Sequence, residues 1–310
     1  MLTASQISAA QSIVNIFETG EVLGDYGNVS VTSGDTGHLS FGRSQTTLGS
    51  GNLPMLLERY CSNGSARFGP RLAPYLARLA ARDITLDQDF ALHNLLRATA
   101  DDPVMRDLQD GFFDEFHWEP ATRAAARESI VSALGVVVVY DSRVQGSWKP
   151  LRDRTVAQLG GVALAGERAW ISAYVDNRRS WLARHRRADL RRTAYRMEAF
   201  QRLIEQGYWS LELPLVVFGR EISVASLAAL PVRSYDGPQP GTRALALQSP
   251  LLRGLDVRLV QLGLSEAGMD IRADGVFGQT STRVVAEFQQ QAGLAPTGIA
   301  DEALIARLVG

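Results

Sequence analysis

The early part of the chain changes abruptly from helical periodicity to a glycine-punctuated segment, and this change constrains the fold most. Apolar residues recur at helical spacing over residues 4–19, up to Glu18 and Gly20. The sequence then breaks into short strand-like pieces separated by turn residues, and Asp35 lies within one of these turns. We therefore predict a helix over residues 4–19, followed by a small β-sheet over residues 22–42.

The chain from residue 53 to residue 206 is predicted to be mainly helical. Apolar spacing predicts helices over residues 53–61, 70–82, 86–99, 119–145, 153–160, 166–185 and 190–206. The four valines at 136–139 alone could indicate a strand, but the flanking sequence favours a buried helix. The expected fold class is α+β, mainly α.

Glu18 and Asp35 form a carboxylate pair with a specific chemical use. Glycoside hydrolysis needs one carboxyl group that protonates the leaving oxygen and a second that stays ionised. A helix end beside a β-turn can place two such groups on opposite sides of a cleft. Most carboxylate pairs at this spacing are solvated surface charges, so the spacing alone leaves that interpretation open.

The surrounding motifs add a family resemblance. Residues 13–61, with DTGHLSFG at 35–42 and TTLGSGN at 46–52, resemble the N-terminal lobe of glycoside hydrolase family 46 chitosanases. These enzymes belong to the lysozyme-like superfamily. The sequences VVVVYD at 136–141 and WISAYVDNR at 170–178 resemble its later helices. The resemblance covers roughly residues 5–220 and implies a two-lobed, lysozyme-like catalytic domain.

The resemblance implies roles for particular residues. Glu18 would be the general acid, in the apolar setting of its helix, and Asp35 the general base. Ser40, where the family usually has threonine, would help to hold the attacking water. The resemblance also implies a supporting ion network of Asp141, Arg178 and Arg202, with Arg196 as the alternative to Arg202.

Three further residues are expected to bind substrate: Asn52, His38 and Tyr26. Asn52 stands where chitosanases of this family carry an acidic residue for the glucosamine ammonium. An amide can hydrogen-bond an N-acetyl group but supplies no counter-charge, which weakens the expectation of strict preference for deacetylated chitosan. His38 has a purely structural role as its alternative.

The C-terminal residues carry a second family signal. The sequence DGVFGQTST at residues 274–282, between apolar helical repeats, resembles the three-helix peptidoglycan-binding module of bacterial wall hydrolases. A small helical bundle of another role is the alternative. Residues 231–242 are rich in proline and glycine and are predicted to be a linker. The predicted domains are therefore 1–230 (catalytic), 231–242 (linker) and 243–310 (peptidoglycan-binding).

Composition limits the partners. The net charge of −1 gives no field that would draw the chain to nucleic acid or membrane, and no nucleic-acid-binding motif is present. The four histidines lack metal-ligand spacing, and Cys61 is the lone cysteine, so no intrachain disulfide can form. We expect a polysaccharide substrate and no metal, cofactor, nucleic acid or membrane insertion.

The expected location follows from the first residues, which lack the basic and apolar regions of a secretory signal. No segment has the length and apolarity of a bilayer span. We expect synthesis in the cytoplasm and action in the periplasm, the cell wall or outside the cell. Three routes stay open: an endolysin, an injected effector with a secretion-machine or immunity partner, and a processed secreted enzyme.

Together these features predict an endo-acting hydrolase of β-1,4 bonds in an amino-sugar polymer. The family resemblance implies inversion at the anomeric carbon. Peptidoglycan is slightly favoured as substrate over chitosan because of Asn52 and the C-terminal module. A non-catalytic wall-binding protein and a lytic transglycosylase, which would need only the acid, are the alternatives.

Overall fold

Helices dominate the computed structural model, which describes residues 2–309. The helices are α1 (Ala4–Thr19), α2 (Asn52–Cys61), α3 (Gly69–Leu72), α4 (Leu76–Ala80), α5 (Phe90–Thr99), α6 (Pro103–Phe113), α7 (Glu119–Arg127), α8 (Ala133–Val144), α9 (Trp148–Leu159), α10 (Val162–Ala165), α11 (Glu167–Ala183), α12 (Ala188–Arg191), α13 (Tyr195–Glu205), α14 (Val224–Leu227), α15 (Leu255–Glu266), α16 (Gln279–Gln291) and α17 (Glu302–Val309). The strands are β1 (Val29–Ser30), β2 (Ser40–Phe41), β3 (Thr46–Thr47), β4 (Leu215–Val217), β5 (Arg220–Ile222), β6 (Leu252–Arg253) and β7 (Val276–Phe277). The predicted class, α+β and mainly α, is confirmed.

The chain forms two compact units, and each unit is assembled from two separate stretches of sequence. The first contains the residues up to Gly24 together with Phe112–Ala229. The second contains Asp25–Gly111 together with the residues from Leu230 onward. Glu18 belongs to the first unit and Asp35 to the second. The domain limits predicted from motifs (1–230, 231–242 and 243–310) divide the chain differently and stay a prediction.

Helix α8 forms the centre of the first unit. Its valines at 136–139 are buried, and α1, α7, α9, α11 and α13 all contact it. A helix enclosed on all sides is apolar around its whole circumference, which explains why its sequence resembles a strand. The expected buried helix at this position is therefore found.

The predicted helix over residues 119–145 is two helices, because a capped turn interrupts it. Ser132 begins α8, and its hydroxyl accepts a hydrogen bond of 3.0 Å from the Gly135 N–H. Glu167 fixes this cap: its Oε1 accepts from the Ser132 N–H (2.8 Å) and hydroxyl (2.6 Å). A Cβ atom at Gly135 would lie 2.7 Å from that oxygen and 2.9 Å from the Ser132 hydroxyl, so a larger residue would displace the cap.

The second unit contains a three-stranded antiparallel sheet, in the order β1-β2-β3. Ser40 on β2 lies opposite Ser30 on β1 and Thr47 on β3. Each strand has only two residues. The expected small sheet is therefore present, although its third strand lies beyond the predicted limit of residue 42.

The C-terminal helices pack against α5 within the second unit, through a buried amide. Asn94 on α5 is 2% exposed. Its Nδ2 donates to the Ser265 hydroxyl (2.9 Å) and the Ile271 carbonyl (2.7 Å), and its Oδ1 accepts from the Ala273 N–H (3.0 Å). Buried amides are costly to leave unpaired, so these contacts hold α5 and the C-terminal residues together.

The segment predicted to be a linker is held by the same unit. The Tyr235 N–H donates to the buried Asp101 carboxylate at 2.7 Å. The buried Arg258 lies 3.2 Å from that carboxylate and donates to the carbonyl of Arg233 at 2.6 Å. Further along the segment, the carbonyl of Gly237 accepts from the N–H of Leu255 (3.1 Å). Residues 231–242 are thus anchored along their length.

Over residues 2–309, the structure contains no helix with both the length and the apolar character that a membrane span requires.

Candidate active site

Glu18 lies in the last turn of α1, which ends at Gly20 with φ of 77°. Its side chain is 46% exposed, and its Oε1 accepts a 2.8 Å hydrogen bond from Nη1 of Arg196. The Arg196 guanidinium also lies over the ring of Phe17, 5.5 Å from its centroid. The helix end thus presents a carboxylate that is open to solvent on one side and fixed by a cation on the other.

Behind Glu18, a fully buried carboxylate joins two arginines. Asp141 accepts from Nη1 of Arg178 at 2.5 Å and from Nη1 of Arg196 at 3.0 Å. Burial alone would lower the pKa of Arg196, but the adjacent carboxylates of Asp141 and Glu18 raise it above its ordinary value. Two cations and two carboxylates therefore form a balanced network, as buried charges require.

The third member of this network differs from the first choice made from the sequence. Arg202 is exposed and lines a different cavity, alongside Pro214 and Phe218. Arg196, the alternative, makes the contacts with Asp141. Both arginines lie on α13, and a separation of six residues rotates a side chain by about 240° around a helix. They therefore occupy different faces, and only Arg196 reaches the network.

Asp35 lies on an exposed turn of the second unit that is fixed from within. Its Oδ1 accepts from the Gly37 N–H (3.1 Å), and its own N–H donates to the Thr32 carbonyl (3.1 Å). The Gly49 N–H donates to the Gly37 carbonyl at 2.9 Å. A Cβ atom at Gly49 would overlap the carbonyl oxygen of Thr36, so glycine is needed for the turn to pack here. The exposed carboxylate is thus carried by a well-fixed backbone.

The residues after Asp35 form a second polar cluster. Nδ1 of His38 lies 2.9 Å from Oδ2 of Asp87, whose Oδ1 accepts from the Leu39 N–H at 2.8 Å. Ser40, which is 8% exposed, donates its hydroxyl to the His38 carbonyl at 3.2 Å. The structure therefore brings His38 and Ser40 into the same segment as Asp35, and Asp87 braces that segment.

Two other residues that were predicted to bind substrate, Tyr26 and Asn52, do not line the cleft beside Asp35. Tyr26 is 5% exposed, and its hydroxyl donates to Asp110 at 2.6 Å. Arg43 binds the same carboxylate, and burial raises the pKa of Tyr26 above its ordinary value. Tyr26 therefore braces the interior of the second unit, and its expected contact with substrate stays a prediction. Asn52 is the half-buried first residue of α2 and does not line the cleft beside Asp35.

An open cleft of about 780 Å³ lies beside Asp35 in the second unit. Residues 29–36 and His38 form one side. The sequence analysis assigned none of the other five lining residues to the site: Asp87, Gln88, Phe90, His93 and Arg97. Phe90 is 68% exposed, and an exposed aromatic at a helix start was the one available signal. None of the other four belongs to a recognisable motif.

Across the described residues 2–309, no three His, Cys, Asp or Glu side chains are grouped closely enough to hold a metal ion. Cys61 is a half-buried free thiol whose pKa is raised by burial.

Glycoside hydrolases use a pair of carboxyl groups, and the structure presents one carboxylate fixed at a helix end and another on an exposed turn. The sequence comparison specifies the class further. The model of glycosyl hydrolase family 46 matches residues 12–215, and the chain belongs to this family. A peptidoglycan-binding domain matches residues 253–308.

Individual relatives agree with this assignment. The chain is 25% identical over 236 residues to a chitosanase of Bacillus subtilis (strain 168), covering 71% of this chain and 84% of the relative. A Gynuella sunshinyii family 46 chitosanase in complex with chitotetraose has a TM-score of 0.56 at 24% identity, covering 72% of this chain and 99% of its own. A mutant chitosanase from Bacillus subtilis MY002 complexed with 6 GlcN has a TM-score of 0.55 at 22% identity, covering 71% and 96%.

These comparisons confirm the predicted family, fold class and enzyme class, and they confirm the C-terminal module as a peptidoglycan-binding domain. The roles assigned to single residues stay predictions.

Proposed function

We propose that this protein is an endo-acting hydrolase of chitosan, with Glu18 as general acid and Asp35 as general base. The observation that carries the proposal is the family 46 match over residues 12–215, which include both carboxylates and the ion network behind Glu18. The curated Bacillus subtilis relative is a chitosanase. The comparisons thus favour chitosan over peptidoglycan, which the sequence analysis had slightly preferred as substrate.

The acid step follows from the surroundings of Glu18. A general acid must hold its carboxyl group toward the leaving oxygen and accept a new proton after each turnover. The solvent-open side of Glu18 gives access to substrate and water, while Arg196 fixes its orientation from behind. Asp141 accepts from the same Nη1 atom of Arg196, so that nitrogen is divided between two carboxylates.

The base step is assigned to Asp35. An ionised carboxylate on a fixed, exposed turn can take a proton from a water molecule as it attacks the anomeric carbon. Ser40 is proposed to help hold that water. Inversion requires the two catalytic carboxyl groups to stand roughly 6.5–9.5 Å apart, so that the water fits beside the sugar.

Peptidoglycan is the second candidate substrate. The peptidoglycan-binding domain at residues 253–308 favours it, because such a domain would hold the enzyme at the wall. Asn52 also supplies no negative charge for a glucosamine ammonium. We further propose that the protein acts in the periplasm, in the cell wall or outside the cell, which fractionation of producing cells would test.

The deciding experiment incubates the purified protein with chitosan and, separately, with peptidoglycan sacculi. Products are identified by mass, and the anomer formed first is identified by proton NMR. Glu18→Gln is expected to abolish turnover, whereas Glu21→Gln, which changes a carboxylate paired with Arg220, should retain it.

Each outcome has a definite meaning. Chitosan oligomers released first as the inverted anomer support the proposal, and hydrated muropeptides support the second candidate. Anhydro-sugars would indicate a lytic transglycosylase. No product from either polymer, with sacculi still bound, would refute hydrolysis and leave a wall-binding protein.

A further inference from the structure

Four arginines surround a small cavity of about 30 Å³ in the second unit. Arg97 belongs to α5, whereas Arg233, Arg258 and Arg272 come from the C-terminal part of the chain. Residues 27–29 close another side, and Asp274 is the one acidic side chain in the lining. The volume suits one water molecule or one oxygen-bearing end of a ligand.

The positive charges at this cavity are unequally compensated. Arg258 lies 3.2 Å from Asp101, and Arg233 lies 3.0 Å from Asp25. In contrast, among residues 2–309 no carboxylate forms an ion pair with Arg97 or with Arg272. Two of the four guanidiniums are therefore available to an incoming anion.

Arg97 shows the clearest sign of a missing partner. Its Nη1 donates to Oδ1 of Asn94 at 3.1 Å, but its buried Nε has no hydrogen-bond partner in the described structure. Burial, together with the charges of Arg272 and Arg258, lowers the pKa of Arg97 to about 10. The Asp274 carboxylate offsets only part of this lowering of the Arg97 pKa. Its Oδ1 already accepts hydrogen bonds from the N–H of Val276 (2.9 Å) and from Gln261 (3.0 Å).

The cavity adjoins the cleft that contains Asp35. Val29 and Arg97 line both the small cavity and the 780 Å³ cleft. A glycan lying in the cleft would therefore pass beside Arg97, and a substituent on one of its sugars could enter the cavity. Arg272 brings the peptidoglycan-binding domain into contact with that substituent.

We propose that this cavity is an anion subsite that binds a carboxylate carried by a cell-wall glycan. Carboxylates are the natural partners of paired guanidiniums. Peptidoglycan carries carboxylates on its stem peptides, and on its lactyl groups where the peptide has been removed, whereas chitosan carries none. This subsite would account for the binding of peptidoglycan, the second candidate substrate. It rests on the proposed function in one respect only, namely that the adjoining cleft binds the glycan.

The test measures binding in the Glu18→Gln background, so that no ligand is cleaved. Calorimetry compares a peptidoglycan tetrasaccharide with its peptides, the same tetrasaccharide without peptides, and the neutral tetramer of N-acetylglucosamine. Arg272→Gln removes the exposed charge, and Arg97→Gln removes the half-buried one. Arg253→Gln is the matched control, because it changes an exposed arginine of the same domain that lines neither cavity.

Arg272→Gln is expected to weaken binding of a carboxylate-bearing tetrasaccharide about ten-fold, as loss of one charge-assisted hydrogen bond does. Binding of the neutral tetramer should not change. An effect confined to the peptide-bearing ligand assigns the site to the stem peptide, whereas an effect confined to the ligand without peptides assigns it to the free lactyl carboxylate. Unchanged affinity for both anionic ligands in Arg272→Gln and Arg97→Gln would overturn the proposal, as would an equal loss in Arg253→Gln.

The result is separable from the proposed function. Hydrolysis of chitosan is scored on the parent protein with an active Glu18, so failure of the anion subsite leaves that assay unaffected. Conversely, an inactive parent protein that still binds the anionic tetrasaccharide through Arg272 would refute hydrolysis and retain the subsite.

Discussion

Replacing Arg196 by glutamine should destabilise the first unit strongly. The substitution removes the hydrogen bonds from Nη1 to Asp141 and Glu18. Glu18 is half exposed, so loss of that pair contributes at most about 1 kcal/mol. Asp141 is fully buried, and breaking a buried pair costs about 3–5 kcal/mol. Because Arg178 still neutralises Asp141, the lower end applies, and we expect the free energy of unfolding to fall by about 3 kcal/mol.

The measurement exploits the position of the fluorophores, because every tryptophan lies in the first unit: Trp118, Trp148, Trp170, Trp181 and Trp209. Tryptophan fluorescence during urea unfolding therefore reports on the unit that contains the network. With a slope of about 2 kcal/mol per M, the midpoint should shift by about 1.5 M. The rate of chitosan hydrolysis should also fall about 100-fold, since Glu18 loses its orientation.

Arg202→Gln is the matched control on the same helix. Arg202 is exposed, so its replacement should change stability by no more than about 0.5 kcal/mol. The argument fails if Arg202→Gln destabilises the unit as much as Arg196→Gln does. It also fails if Arg196→Gln unfolds at the same urea concentration as the parent protein.

Three further outcomes are expected in the second unit. Gly49→Ala should displace the turn that carries Asp35, because its Cβ atom would overlap the Thr36 carbonyl oxygen. We expect kcat to fall at least about ten-fold while the circular dichroism spectrum stays unchanged. Full activity would contradict this steric argument. Asn94→Ala should lower the free energy of unfolding by about 2–4 kcal/mol because buried hydrogen bonds are lost, and it should speed hydrogen exchange over residues 264–274. Unchanged exchange in this segment would show that the amide does not hold it against α5. Burial raises the pKa of Asp101 to about 6 despite the opposing charge of Arg258, above the value of about 4 in an unfolded chain. Between these two pH values the folded unit holds a proton that the unfolded chain has released, so the contribution of Asp101 to stability is greatest below pH 4 and is lost as pH rises through 6. Asp101→Asn should flatten this fall, measured by hydrogen exchange of peptides from residues 90–111 at several pH values, and an unaltered profile would contradict it.

Local patterns were sufficient where neighbouring residues determine the structure. The helix that carries Glu18 ends at Gly20 because glycine adopts the left-handed conformation of a helix C-terminus. The turn at Asp35 follows from an aspartate that bonds the N–H of the residue two positions on. The family motifs likewise lie in short contiguous stretches.

Contacts between distant residues could not be deduced in this way. The break before α8 depends on Glu167, which lies 35 residues beyond the Ser132 that it binds. The choice between Arg196 and Arg202 depends on the rotation of α13 about its own axis, and a motif in the sequence does not encode that rotation. Arg97 belongs to no sequence motif. Its place beside the arginines of the C-terminal residues is evident only from the packing of α5 against them.

The attachment of the C-terminal domain through Asn94 and Asp101 has a consequence for engineering. Wall-binding domains are commonly treated as exchangeable parts that can be cut away to leave a minimal enzyme. Here a cut at residue 230 would remove the hydrogen-bond partners of both side chains and expose apolar surface on the lobe that presents Asp35. A shortened enzyme would therefore need compensating substitutions on α5, and a foreign binding domain would have to reproduce the surface that Asn94 contacts. In evolutionary terms, substitutions on α5 and substitutions in the C-terminal domain are expected to be coupled.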